Sequence, residues 1–445
     1  MASVALIVLD TLRQDHFNEH FDWLPGTWYP NAYSTTNWTA PAHASLFTGL
    51  YPSETGVTAK SRKLGSDLPI LPELASDQGY RTIGLSANHN ASEENGFARG
   101  FDEFWGPTQL LNPDNKNIIN LEKVISETDS SGVRLYLKIL AECFSPKHDT
   151  IASLTRAASV KFDIQTLSKG VEDDGASTVL ERSKIMNESE DTFLFVNLME
   201  PHTPYNPPNS YNSLSKSITV NIIDTFSGVE HPSEVRQAYD DSVSYLSDIY
   251  KHIYSNLREK FEYIITVADH GEMLGEHNLW NHTYGLYPEV TKVPLVISHT
   301  SDESKTVSNR CVNLLDVNKT IESLLDIDSN SKGRDLLSDF EDRDLICEYQ
   351  GLIPIAKKRL EEQGLLSEKV NSYDQNQYSL ITSSGEYAIL DSDENIIKSD
   401  IDDNDDKISS RIADIREEME CYNQEEIQEE ISDDVMSRLE ELGYA

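Results

Sequence analysis

Apolar residues in this chain fall into two arrangements. Some form short unbroken runs: Val4-Ala-Leu-Ile-Val-Leu9, Thr192-Phe-Leu-Phe-Val-Asn-Leu-Met199 and Tyr263-Ile-Ile-Thr-Val-Ala268. Runs of this length, rich in β-branched residues, are the pattern of strands covered on both faces, as in a parallel sheet. Thr82–Ser86 and Val293–Ser298 read as further strands. Elsewhere the apolar positions recur at helical spacing: Val235, Tyr239, Val243, Leu246, Ile249 and Ile253 within 233–259, and a second amphipathic stretch over 314–325. Leu68–Gly79 reads as a helix stopped by its glycine. Strands alternating with helices predict an α/β fold, a three-layer sandwich around a mostly parallel central sheet. Beyond His299 the expected elements are strands at Asp344–Tyr349, Tyr378–Thr382 and Tyr387–Leu390, a smaller C-terminal α+β part. The expected domains are therefore 1–335, with a variable helical insertion over 110–190, and 336–445, closing on an acidic helix over Glu425–Leu442. The acid run Asp400–Asp406 reads as a solvated loop, because the Gly and terminal Glu of a calcium-binding EF-hand are missing.

Polar residues that break this pattern stand at the strand ends. Asp10 closes the first run, Asn88-His89-Asn90 follows Thr82–Ser86, Glu200-Pro-His202-Thr-Pro-Tyr205 follows Thr192–Met199, and Asp269-His270 follows Tyr263–Ala268. Sheets of this class gather functional groups at these ends. Two prolines fix the loop holding His202. Gly271 allows a tight turn after His270, and His277 and His282 lie in the loop beyond. Between the first two strands, Thr36–Gly49 reads as a helix with Thr39 as N-cap, Pro41 in the first turn and Gly49 as the stop. Free N–H groups at such a start favour an anion, and His43 would lie beside it.

Charge changes the picture. With 76 acidic against 37 basic residues, the net charge is -39, which argues against nucleic acid or an anionic membrane as partner. Apolar content is ordinary, so the acidity reads as a hydrated, salt-adapted surface rather than disorder. Cys143, Cys311, Cys347 and Cys421 are far apart and form no CxxC pair, which argues against a disulfide framework and a structural zinc site. No run reaches the roughly 18 apolar residues of a membrane span, and Val4–Leu9 is too short for a signal segment. The expectation is a cytoplasmic protein of a halophile without a membrane span.

Asp10, Thr39, Asp269 and His270 supply carboxylate oxygens, a hydroxyl and an imidazole, a donor set for Zn²⁺, Mn²⁺ or Mg²⁺. Such an ion would lower the Thr39 hydroxyl pKa and polarise a substrate oxygen. His43, His202 and His282 could then bind the remaining oxygens and protonate the leaving group. Attack on a sulfate or phosphate ester fits these groups. No GxSxG elbow, HExxH or P-loop offers another chemistry.

The same motifs resemble the sulfatase family of the alkaline phosphatase superfamily over nearly the whole chain: Leu-Ile-Val-Leu-Asp10-Thr-Leu-Arg, Thr39-Ala-Pro-Ala-His-Ala-Ser-Leu-Phe-Thr-Gly49, Glu-Pro-His202-Thr-Pro-Tyr, Ala-Asp269-His270-Gly-Glu and Leu-Trp-Asn-His282. The resemblance implies an alkaline phosphatase-like fold, with Asp10, Asp269 and His270 as metal ligands and Thr39 as nucleophile. His43 stands where the family has its signature Arg, His202 where it has a substrate-contacting His, and His282 where it has a sulfate-touching Lys or His. Asn88 and His89 fall in the region of another substrate-side pair. With its acidic charge the chain resembles a haloarchaeal-type member of this family, and three departures from the family pattern matter. Thr39 replaces the oxidisable Cys or Ser and cannot become a formylglycine hydrate, Thr11 replaces a second acid, and His43 carries no permanent charge. These changes resemble the threonine-using phosphodiesterases and phosphotransferases of the superfamily. The expectation is a hydrolase of sulfuric or phosphoric esters using a divalent ion (Zn, Mn, Mg or Ca, a transition metal favoured) on a small-molecule or glycan ester. One alternative is a phosphodiesterase or phosphoryl transferase acting on a glycan or small acceptor, with further metal ligands sought among Asp241, Asp248, His277 and His282. The other is a non-catalytic binding protein.

Overall fold

The computed structural model describes residues 2–111, 173–186, 191–364 and 367–422. The expected terminal helix, Cys143 and most of the 110–190 insertion lie outside these residues. Strands β1 (Val4–Leu9), β2 (Gly26–Trp28), β3 (Arg81–Ser86), β4 (Glu103–Trp105), β5 (Thr192–Leu198), β6 (Tyr263–Val267), β7 (Leu295–His299) and β8 (Lys305–Val307) form one sheet. Their order is β4-β3-β5-β1-β6-β7-β2-β8. From β4 to β6 all neighbours are parallel; β7 runs antiparallel to both β6 and β2, and β2 pairs in parallel with β8. Every residue of β1 and β5 is buried, the burial that their unbroken apolar runs require.

Helices cover the sheet in two packed groups. Helix α1 (Thr39–Thr48) packs on α4 (Leu314–Leu324), and α2 (Ala176–Ile185) packs on α3 (Pro232–Arg258). The 27-residue α3 has a proline in its first turn and buries Val235, Tyr239, Val243, Leu246 and Ile253 on one stripe. Gly49 ends α1 at φ +70°, where a Cβ would be strained. The α/β expectation therefore holds, and so does the separate C-terminal sheet. That sheet is antiparallel, with β9 (Leu345–Tyr349), β10 (Gln377–Ile381), β11 (Tyr387–Leu390) and β12 (Ile396–Ser399) in sequence order.

The acid run differs from expectation. Its second half opens α5 (Asp405–Glu417), with the Asn404 side chain accepting from Lys407 N and Asp405 and Asp406 in the first turn. Carboxylates there meet the positive end of the helix dipole, which a solvated loop would not supply.

The C-terminal sheet is fastened to the strand that leads into α1. Glu348 N donates to the Thr35 carbonyl at 2.8 Å, and Cys347 Sγ donates to the Ser34 carbonyl at 3.0 Å. Glu348 Oε2 in turn accepts from Ser53 N at 2.8 Å. Cys311, Cys347 and Cys421 are free thiols. Among the described residues no helix is long and apolar enough to cross a membrane.

Candidate active site

Strand β1 lies between β5 and β6, with Leu9 level with Leu198 and Val8 level with Val267. Asp10 and the Asp269-His270 pair therefore leave neighbouring strand ends and converge. Thr11 turns the chain at φ +57° and donates its N–H to Asp269 Oδ1 at 3.2 Å. Gly271 passes so close to the next segment that a Cβ would stand 2.2 Å from the Glu289 carbonyl oxygen. The turn that presents His270 has no room for a side chain there.

The buried ligand atoms of Asp10, Asp269 and His270 all lie within 4.8 Å of one another. His270 Nδ1 donates to the Gly271 carbonyl at 3.0 Å, which leaves the Nε2 lone pair facing Thr39 Oγ1 at 3.2 Å and Asp269 Oδ2 at 3.4 Å. Asp10 Oδ2 accepts from Asn88 at 2.7 Å and from Asn197 at 3.2 Å. Asp10 Oδ1 and Asp269 Oδ2 are buried, and no hydrogen bond of normal geometry reaches them. Burial, then the charge of Asp269, pushes Asp10 up to about 7; burial pushes Asp269 up to about 7. Two buried carboxylates with orphaned oxygens beside an imidazole lone pair fit a divalent cation, since the cation offsets the desolvation cost that the bonds from Asn88, Asn197, Thr11 and His270 leave uncompensated.

Thr39 is the first residue of α1 rather than its cap. Trp38 holds the N-cap position without a side-chain cap bond, and the Thr39 hydroxyl turns toward His270 instead of a backbone N–H. His43 also departs from expectation. Its Nδ1 donates to the Thr39 carbonyl at 2.9 Å and its Nε2 accepts from Asn197 at 3.1 Å, so both ring nitrogens are taken within the protein. Burial pushes it down to about 4, which keeps the ring neutral. Asn88 faces the cluster: its amide donates to Asp10, and its oxygen accepts from Asn90 N at 2.7 Å. His89 sits half-buried in the same turn, where its carbonyl accepts from Asn95 at 3.1 Å.

His282 and His202 gather at the cluster's other side. The His282 ring lies 4.4 Å from that of His270 and 5.3 Å from that of His202. His282 Nδ1 stands 3.3 Å from Glu272 Oε1, while His202 Nδ1 donates to the Thr203 carbonyl. Burial holds both rings well below the usual histidine range and pushes Glu272 up to about 8. Of the further metal ligands sought, only His282 is close. Asp241 accepts from Ser213, Asp248 from the Tyr211 hydroxyl, and His277 stacks on Tyr287 at 4.1 Å. Among the described residues, Asp10, Asp269 and His270 form the one such metal-capable group.

Asn197 and Glu272 carry no role in the sequence reading, and Thr11 enters it only as the replacement for a second acid. Asn197 carried a usable signal, as the amide interrupting Phe-Leu-Phe-Val-Asn-Leu, a run otherwise fit only for a core. Glu272 lies two residues after His270, within the Ala-Asp269-His270-Gly-Glu motif.

The sequence model of the family described as Sulfatase matches residues 7–327 of this chain. A stretch of 89 residues is 30% identical to the uncharacterized sulfatase YidJ of Escherichia coli (strain K12). That stretch is 20% of this chain and spans only 18% of that curated relative. Among solved structures, phosphonate monoester hydrolase SpPMH from Silicibacter pomeroyi is similar with a TM-score of 0.59 at 15% identity, covering 95% of this chain and 96% of that one. The 2-O GAG sulfatase BT1596 is similar with a TM-score of 0.57 at 14% identity, covering 94% and 90%. At such identities the likeness is one of fold.

Proposed function

Because the chain belongs to the sulfatase family, we propose that it is a metal-dependent hydrolase of singly charged sulfuric or phosphoric esters with Thr39 as nucleophile. The observation that carries this reading is Thr39 Oγ1 at 3.2 Å from His270 Nε2, beside the orphaned oxygens of Asp10 and Asp269. Asp10, Asp269 and His270 would hold the ion, and their mixed oxygen and nitrogen set favours Zn²⁺ or Mn²⁺. A bound divalent ion would lower the pKa of the adjacent hydroxyl and draw charge from an ester oxygen.

The rest of the chemistry falls to side chains. Thr39 Oγ attacks sulfur or phosphorus in line with the departing alcohol oxygen, forming a threonyl ester that water then cleaves. The proton shed by Thr39 balances the one the alcohol gains, and His202 and His282, neutral through burial, are the groups to carry it. His43 and Asn197 act as positioning residues, fixing the Thr39 carbonyl and Asp10 together.

Charge supports the choice of a singly charged ester. Among the described residues, the hydrogen bonds to Asp10, Thr39, Asp269 and His270 come from amides, backbone groups and histidine, not from Lys or Arg. One divalent ion against two carboxylates leaves little positive charge for a dianion. The fold does not choose between the chemistries, since it is shared by proteins named for phosphonate and for sulfate esters. The substrate in this reading is a small-molecule or glycan ester, and the -39 charge supports, as part of the same proposal, work in a salt-rich cytoplasm.

The deciding experiment compares an aryl sulfate, an aryl phosphodiester and an aryl phosphate of one phenol, in high-KCl buffer with Mn²⁺ or Zn²⁺. Faster turnover of either singly charged ester is the expected result. An aryl phosphate cleaved as fast as both would overturn the charge argument, and full turnover by Thr39→Ala would overturn the mechanism.

A further inference from the structure

The segment that delivers Thr39 also forms one wall of a recess. Thr36, Trp38 and Pro41 face Tyr349, Gly351 and Ile353 across it. Its enclosed volume of about 10 Å³ admits one water. A group larger than water stays on its rim, and Trp38, which lines it, is the residue before Thr39 in the chain.

Gly351 belongs to that rim, at φ +93°. A Cβ there would stand 2.5 Å from Asp374 Oδ1 and 2.7 Å from Lys60 Nζ, so these two groups lie directly on the rim's backbone. Lys60 Nζ pairs with Asp374 Oδ1 at 2.8 Å, and Lys357 Nζ with Asp374 Oδ2 at 2.9 Å. Leu352 N donates to the same carboxylate at 3.1 Å. Two ammonium groups on one carboxylate leave one positive charge uncompensated. Asp374 is 13% exposed, whereas Lys60 is 43% and Lys357 37% exposed, so the surplus charge faces solvent beside the recess. A chain of net charge -39 repels anions almost everywhere else.

The geometry points to a specificity site: the alcohol portion of the ester lies over the recess and carries a second anionic group, which Lys60 and Lys357 bind. This inference rests on Thr39 as the reaction centre. It requires an alcohol long enough to join the two charges, and it disfavours esters of plain uncharged alcohols.

Calorimetric titration of the full chain loaded with Mn²⁺ tests it without turnover. The probes are alkanesulfonates of three to six carbons, compared with the α,ω-disulfonates and ω-carboxyalkanesulfonates of the same lengths. At one spacer length the second anion should tighten binding about ten-fold, the worth of a partly exposed charge-assisted contact. Substituting Lys60→Gln and Lys357→Gln together should reduce that gain to within about two-fold. Asp374→Asn, which frees both ammonium groups, should enlarge it, and this variant guards against simple misfolding of the first. The stronger of the two dianion series identifies the second group as a sulfate-like or carboxylate anion. The inference is overturned if no spacer length shows a gain or if the gain survives loss of both lysines. If no sulfonate binds the loaded protein at all, the reading of the Thr39 site fails first and this one with it.

Discussion

Stripping the ion from the protein should release a cost whose size depends on pH. In the bare fold Asp10 and Asp269 stand at about 7, against an ordinary carboxylate value of 3.8. A carboxyl raised on folding stabilises the fold in its protonated form, fully so below pH 4, and that stability is lost as pH rises toward 7. Roughly three pH units correspond to about 4 kcal/mol for one group. Because Asp269 itself repels Asp10, the two titrate as a pair, and about 4 to 8 kcal/mol brackets both. The bare protein's own pH curve would blur this, since His43, His202 and His282 are shifted down by burial and lose stability in the opposite direction, as pH falls from about 6.5. The difference between loaded and bare protein cancels those histidines. Binding an ion must displace the carboxyl protons, about two at pH 5 and close to none above pH 8. The apparent Mn²⁺ affinity should therefore climb by about 10² to 10⁴ between pH 5 and 7, then level off. Calorimetric titration in two buffers of different ionisation enthalpy counts the protons directly. Zero protons released at pH 6, or an affinity flat from pH 5 to 7, would refute the assignment of these carboxylates as ligands. Asp10→Asn should remove one proton from the count and weaken binding.

Four further outcomes are open to measurement. Thr39→Ala should lose about 10³-fold or more in turnover while still binding metal, and Thr39→Ser should recover most of it. Asn197→Leu keeps the volume but strands His43 Nε2 and removes one amide from Asp10, so denaturant unfolding should show a loss of about 1–3 kcal/mol; a loss under about 0.5 kcal/mol would mean the bridge is not formed. Gly271→Ala would put a Cβ 2.2 Å from the Glu289 carbonyl, so the His270 turn must move, and metal affinity should fall about ten-fold or more by titration. Thermal midpoints should rise with KCl, because a net charge of -39 repels itself over a Debye length that shrinks from about 10 Å at 0.1 M to about 3 Å at 1 M; full stability in dilute buffer would contradict this.

How much of this was readable from the residues depends on what each element had to bury. Val4–Leu9 was legible to its exact ends, because a strand covered on both faces must be apolar throughout. The long helix was legible to within a residue, since its stripe repeats over many turns. By contrast β2, β4 and β8 hold three residues each, too few for any period to show. Helix Pro354–Glu362, with only Ile355, Ala356 and Leu360 buried, offered no more than a hint. At the site, the residue types were legible from the strand ends, whereas the directions of their polar atoms were not. Spacing brought His43 and Asn88 to the right neighbourhood. Which way each ring or amide turned was decided by Asn197 and Asp10, partners about 150 and 80 residues away in sequence.

The bonds from Glu348 and Cys347 to the Thr35 and Ser34 carbonyls bear on how such a chain can change over generations. The match to the family model ends at residue 327, short of the strand that makes those bonds. Yet that strand braces the segment that turns into Thr39. Insertions or swaps in the C-terminal sheet would thus be felt at the nucleophile, so the two parts cannot be shuffled as separate modules. A chimera given a new C-terminal sheet would inherit altered rates together with any new preference, and its neutral drift would be confined to changes that keep that one backbone seam in register.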